Sequence, residues 1–250
     1  MRTWKLAAVA ALAGSMAMGP SEAQQPQTIK LVYDVHFGGM KIGAAELEGA
    51  IGSDDYRVST RVKTAGVVDA FFTATVDGES EGVLDETGAL TPTRFRADTK
   101  TSEDKQLVEI VYEDGAPRIA EAVPAFKKKS YEIVAEEQTG AIDPISAAFQ
   151  ALAPAPAAEV CNDRVEVFDG RKRWALALSN PRVEGDLIQC DGVYERIAGF
   201  KPKHMKRQTE FPFDVSYRVG EDGMAVVERI SVKTDYGYGV ASLRSAQPRS

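Results

Sequence analysis

Gly78-Glu79-Ser80-Glu81-Gly82 is the first stretch whose residue types could do chemistry, because it matches the G-x-S-x-G pattern of a serine nucleophile. That pattern works where a sharp strand-to-helix turn lifts the serine clear and backbone amides hold the developing oxyanion. Here Val83-Leu84 and the turn cluster Asp85-Glu86-Thr87-Gly88 follow, with no helix. The two flanking glutamates would also oppose an oxyanion. The match therefore reads as accidental, and no catalytic residue is assigned. Glu79 and Glu81 share one strand face and could hold a cation or exchange protons, but a solvated polar face is the commoner origin of such a pair.

His36 and His204 are the two histidines. His36 falls on the polar parity of its strand and reads as solvated. His204 lies in Lys201-Pro-Lys-His-Met-Lys-Arg, which reads as a basic loop. Neither has a ligand two or four positions on, so no metal site is assigned and no cofactor is expected. Cys161 and Cys190 match no CxxC spacing and lie far from both histidines, which weakens a metal or redox reading. In an exported chain two cysteines most simply form one structural disulfide.

Three basic clusters stand against a net charge of −7: Lys127-Lys128-Lys129, Arg171-Lys172-Arg173 and Lys201 to Arg207. The acidic balance excludes bulk nucleic-acid binding, which neutralises phosphates with Lys and Arg. The clusters either solubilise loops or meet anionic lipid headgroups and envelope polymers. Phe149 and Trp174 suit a core by type. They are also the candidate ligand-lining residues, since curled sheets can enclose an apolar cavity.

The elements that must position these groups are mostly strands. Residues 1–23 read as a cleaved secretory leader, with Arg2 and Lys5 ahead of a short apolar run, Pro20, and small residues at Ser21 and Ala23. The apolar run is too short to span a bilayer, and no later run is long enough, so no transmembrane segment is expected after cleavage near Ala23. Beyond it, Ile29, Leu31, Tyr33, Val35 and Phe37 alternate with polar residues, and so do Tyr56, Val58, Thr60 and Val62. Gly38-Gly39 and Asp169-Gly170 mark hairpin turns. Gly66 to Phe72 is an apolar interruption, and Pro117 to Glu137 is the least regular stretch. The clear helix signal is Asp143-Pro-Ile-Ser-Ala-Ala-Phe-Gln-Ala-Leu, with Asp143 as N-cap, Pro144 in the first turn and Pro154 beyond its end. Two strand-like runs carrying the cysteines follow it, and helix and stapled hairpin read as the organising unit. Turns recur about every ten residues without repeating helices, which predicts a mainly β, single domain over 24–250: an antiparallel sandwich, barrel or curled sheet with one short central helix.

Several of these stretches also resemble a known family in their order along the chain. They are Tyr33-Asp-Val-His-Phe-Gly-Gly-Met-Lys-Ile-Gly, Asp143-Pro-Ile-Ser-Ala, Val167-Phe-Asp-Gly-Arg-Lys-Arg-Trp, Cys190-Asp-Gly-Val-Tyr and Ala198-Gly-Phe. Together they resemble the DUF3108 family of exported bacterial proteins of undefined function. The likeness covers nearly all of the chain beyond the leader, and Cys161 and Cys190 coincide with the family pattern. It carries no catalytic residues to transfer. The arrangement is also similar to periplasmic proteins with curled antiparallel sheets, among them envelope-integrity proteins and lipoprotein carriers, a likeness of architecture rather than of site. The expectation is a non-enzymatic periplasmic protein supporting the cell envelope, with a lipid, lipoprotein or other apolar ligand in the curl of its sheet. The alternatives are an enzyme acting on envelope polymers and a ligand-free scaffold.

Overall fold

The computed structural model describes residues 27–65, 72–85 and 88–249. Residues 1–26, on which the expected leader falls, most of the apolar interruption at 66–72, and Glu86-Thr87 of the turn cluster lie outside the described residues. The first half of the chain is a meander of β1 (Gln27–Phe37), β2 (Met40–Ile51), β3 (Asp55–Thr64), β4 (Ala74–Leu84), β5 (Leu90–Thr101), β6 (Lys105–Glu113) and β7 (Ala116–Val123). A connection containing a 3-10 turn at Ala135–Glu137 leads to helix α1 (Pro144–Leu152). The second half holds β8 (Ala155–Pro156), β9 (Asp163–Phe168), β10 (Arg173–Glu184), β11 (Leu187–Ala198), helix α2 (Pro202–Arg207), β12 (Glu210–Val219), β13 (Met224–Thr234) and β14 (Gly237–Arg249).

All the strands join one antiparallel sheet in the order β7-β6-β5-β4-β3-β2-β1-β14-β13-β12-β11-β10-β9, with β8 attached to β13. Each half is a run of neighbouring hairpins, and the halves are joined where β1 pairs β14 from Thr28↔Arg249 to Phe37↔Gly239. The path is not closed: β7 and β9 are its two edges.

The sheet nevertheless curls. Helix α1 contacts β3, β4, β5 and β9, and β3 and β9 stand eight steps apart in the strand order. A flat sheet would separate them by roughly 40 Å at the usual inter-strand spacing, whereas a helix with its side chains is only about 10–12 Å across. The two halves must therefore wrap around α1. The connection that precedes the helix then lies along the seam. Ile142 forms a parallel bridge with Val167, donating its amide to the Glu166 carbonyl at 2.9 Å and accepting from the Phe168 amide at 2.9 Å. The 3-10 turn packs on β7. One segment thus attends to both strand edges, which would otherwise present unpaired backbone groups to other chains.

Alternation explains which residues fill the concave side. On β3, Tyr56 and Val58 are buried while Arg57 and Ser59 are exposed. Leu31, Tyr33, Phe95, Ile110, Phe168, Val215, Tyr217 and Val227 join them in one buried cluster with Ile145 and Phe149 of α1. The Tyr33 hydroxyl donates to the Val227 carbonyl at 3.0 Å, so its burial leaves no polar group stranded. On the convex side, cross-strand ion pairs such as Lys30–Glu46, Arg57–Glu81 and Arg94–Glu109 cover the sheet. Such exposed pairs serve register and solubility more than stability.

Cys161 and Cys190 form the disulfide, with Cα atoms 5.5 Å apart. Their setting differs from the expected stapled hairpin, since Cys161 lies in the loop before β9 and Cys190 within β11. The bond therefore spans β9 and β10 and ties the edge of the sheet to its third strand. Cys190→Ser is expected to cost about 2–5 kcal/mol, seen as a lower melting temperature and faster proteolysis with the fold retained. Cys161→Ser and the double variant should match it, and unreduced, denatured wild type should expose no reactive thiol. The Lys201–Arg207 stretch also departs from expectation: beyond Lys201, which precedes it as N-cap, it is helix α2 and not a loop, started by Pro202 in its first turn.

Candidate functional site: a basic-rimmed cleft at the seam of the sheet

Helix α1 presents two chemically different faces. Its N-cap, Asp143, is wholly buried, as are Ser146 and Ser80 of β4. One carboxylate oxygen of Asp143 accepts from the amides of Ile145 at 2.8 Å and Ser146 at 2.9 Å. The other accepts from the hydroxyls of Ser80 and Ser146, both at 2.7 Å. Ser146 also shares a 2.7 Å hydrogen bond with the Tyr56 hydroxyl. Burial raises the Asp143 carboxyl above its ordinary value, and the four donors only partly offset that. Desolvation likewise pushes Tyr56 up to about 12. This knot fixes the helix to β3 and β4, and neither carboxylate oxygen is left without donors.

The opposite side of α1 opens on a cleft of about 720 Å³. Pro144, Ile145 and Ala148 form its floor. Val62 of β3, Val76 of β4, Phe95 and Ala97 of β5 and Val108 of β6 form the sheet wall. Val62 and Val76 are direct cross-strand partners, so they make one continuous apolar strip. Phe126 and Tyr131 of the connection line the cleft across the seam.

Its rim is basic. Lys129, Arg171, Lys172 and Lys201 all line the cleft, and they come from three separate loops. Asp169 shapes the β9–β10 turn by accepting from the amides of Arg171 at 2.9 Å and Lys172 at 2.8 Å. That turn reaches across the seam, where Gly170 sits beside Val108, Ile110 and Phe126. The Arg171 guanidinium lies 4.8 Å from the Phe126 ring centroid. Gly199, with φ +81°, lies so near the Arg171 carbonyl that a side chain there would overlap it. That close approach brings Lys201 to the same rim. Among the described residues, none of these four cations forms an ion pair, whereas the adjacent Arg173 is held by Glu166 at 2.6 Å.

The residues singled out by sequence fall in different places. Ser80 sits mid-strand in β4, facing Asp143 rather than solvent, and serves the buried knot. Glu79 and Glu81 face outward, with Glu81 paired to Arg57. His36 is half-buried on β1 and His204 half-buried on α2. The His204 imidazole is held below its ordinary value by desolvation and by the cations of Lys203 and Arg196. Neither Phe149 nor Trp174 lines the cleft. Phe149 is buried against Gly49 of β2, and Trp174 packs on Tyr194 with ring centroids 5.4 Å apart. The three basic clusters, in contrast, each contribute to one rim. The apolar residues of the cleft were hidden among ordinary strand alternation, and only Phe126 and Tyr131, flanking the lysine run, carried a local signal.

No helix of the described residues is long and apolar enough to cross a membrane. Comparison with curated proteins finds no match. The model of a family described as "Protein of unknown function (DUF3108)" matches residues 32–244. That span takes in both meanders except the first residues of β1 and the last of β14, together with α1 and its buried cap, the disulfide and every residue of the cleft. On that match, the chain belongs to the DUF3108 family.

Proposed function

We propose that this chain is a non-enzymatic periplasmic protein of the cell envelope that binds an apolar ligand in the seam cleft. The observation that carries the reading is the cleft itself, an apolar recess built from β3–β6 and α1. Its volume lies within the range of about 300–1,000 Å³ that suits a single small ligand. The leader-like residues 1–23 and the disulfide support an oxidising, exported setting.

Two further observations favour a binder over an enzyme on envelope polymers. The carboxyl that burial raises, Asp143, is sealed beneath α1 and occupied by four donors rather than exposed in a cleft. On the convex face, Glu46 is held below its ordinary range by the hydrogen bond from Lys30, which suits an ion pair and not a general acid. The test is native mass spectrometry of protein taken from periplasm without detergent. A non-protein mass that disappears on denaturation and extracts into organic solvent is the expected result. Bare protein mass, with no extractable lipid above a control periplasmic protein, would overturn the reading.

A further inference from the structure

We infer that the seam cleft takes a single acyl chain bearing an anionic head, with the chain against β3–β6 and α1 and a carboxylate or phosphate among Arg171, Lys172, Lys201 and Lys129. This rests on the apolar-ligand reading and narrows it to a ligand class.

Two chemistries are segregated within one recess. The strip of Val62, Val76, Val108 and Ala148 offers no hydrogen bonds and favours hydrocarbon. The rim offers four cations from three loops that are far apart in sequence. Their convergence is unusual in a chain of net charge −7 whose other arginines are largely committed to carboxylates across strands. Four cations set against a single lining carboxylate repel one another, and a bound anion would relieve that repulsion. Asp169 also lines the cleft, but one of its oxygens is taken by the two turn amides, and its role is to aim Arg171 and Lys172. A small anion alone would leave the apolar strip in water. A neutral lipid would leave the cations unanswered. An amphiphile satisfies both.

The experiment uses the purified chain, stripped of lipid, titrated with a fluorescent polyene fatty acid and with its methyl ester. The two probes share one chain and differ only in head charge. At low salt the acid should bind about tenfold more tightly than the ester, and added salt should erode the difference. The double variant Arg171→Gln/Lys172→Gln should bring the acid-to-ester affinity ratio down from about tenfold toward one. Ala148→Phe, which fills the floor, should weaken both probes, with cooperative melting as the folding control. Lysophosphatidic acid should displace the acid probe, and inorganic phosphate at matched ionic strength should not. Equal affinity for acid and ester, unchanged in the double variant, would overturn the anionic-head inference and leave the apolar-ligand reading standing. Displacement by inorganic phosphate alone would overturn the need for a chain. Binding of neither probe by folded, lipid-free protein would sink both readings.

Discussion

Asp143→Ala is expected to lower stability by about 3–5 kcal/mol, the sum of a lost helix cap and of buried hydroxyls left without an acceptor. Ser80 and Ser146 both donate to the carboxylate oxygen that alanine removes. The amides of Ile145 and Ser146 lose their acceptor at the same time. Asp143→Asn keeps an acceptor for the amides and should cost far less. It also isolates the pH effect. Burial raises the carboxyl in the folded chain above its unfolded value, so the folded state holds the proton more firmly. The stability tied to that proton is fully present below the unfolded value of about 3.9 and is lost as pH rises through the folded one. Asparagine does not titrate. The gap between wild type and Asp143→Asn should therefore narrow as pH is raised from about 4 toward neutrality, as read from urea midpoints. A gap that widens over that range would show that the carboxylate is held ionised.

Phe149→Ala should be comparably damaging, at about 3–5 kcal/mol. The ring is almost wholly buried at the centre of the curl and rests on Gly49 of β2. A Cβ at Gly49 would overlap that ring, so the pair is a close approach between helix and sheet. Gly49→Val should also destabilise, by about 1–3 kcal/mol through overpacking. The combination Gly49→Val/Phe149→Ala should lose less than the two single effects added together, because the new methyls occupy part of the vacated space. Chemical denaturation of the three variants measures this directly. Strict additivity would mean that the two residues do not share the space that the geometry assigns them.

Much of the architecture was legible because it is local. Tyr56 and Val58 alternate with Arg57 and Ser59, and the strand appears where that period runs. Asp143 with Pro144 marked α1 to the residue, and Asp169-Gly170 marked the turn between β9 and β10. The partnering of β1 with β14 was not legible, since a two-residue period names a strand's faces and not its neighbours. Helix α2 was missed because Lys201 to Arg207 has no apolar stripe, only the proline at its start. Ser80 is the instructive case. Gly78, Ser80 and Gly82 face inward on β4 while Glu79 and Glu81 face out. The G-x-S-x-G spelling is thus a strand with small inward positions, which lets a helix lie close and gives its cap a hydroxyl. The rim of the cleft was legible only as three separate basic clusters. Their meeting depends on the curl, which no local pattern states.

The pairing of β1 with β14 sets the order in which this sheet can be completed. Strands β2 to β7 each pair with the strand made just before them, and so do β10 to β14. Strand β1 is different. One of its two sides finds its partner only when Gly237–Arg249 has emerged, at the far end of the chain. During synthesis, the central strand of the finished sheet is therefore an open edge until nearly all of the described residues have been made. Such an edge is a template for wrong pairing, and a contact this distant in sequence slows folding. A circular permutant that joins the ends by a short flexible linker and opens at Lys128 would read β8 to β14 and then β1 to β7. In that order nearly every neighbour in the sheet is also a neighbour in time, and the permuted chain should refold faster than the natural one.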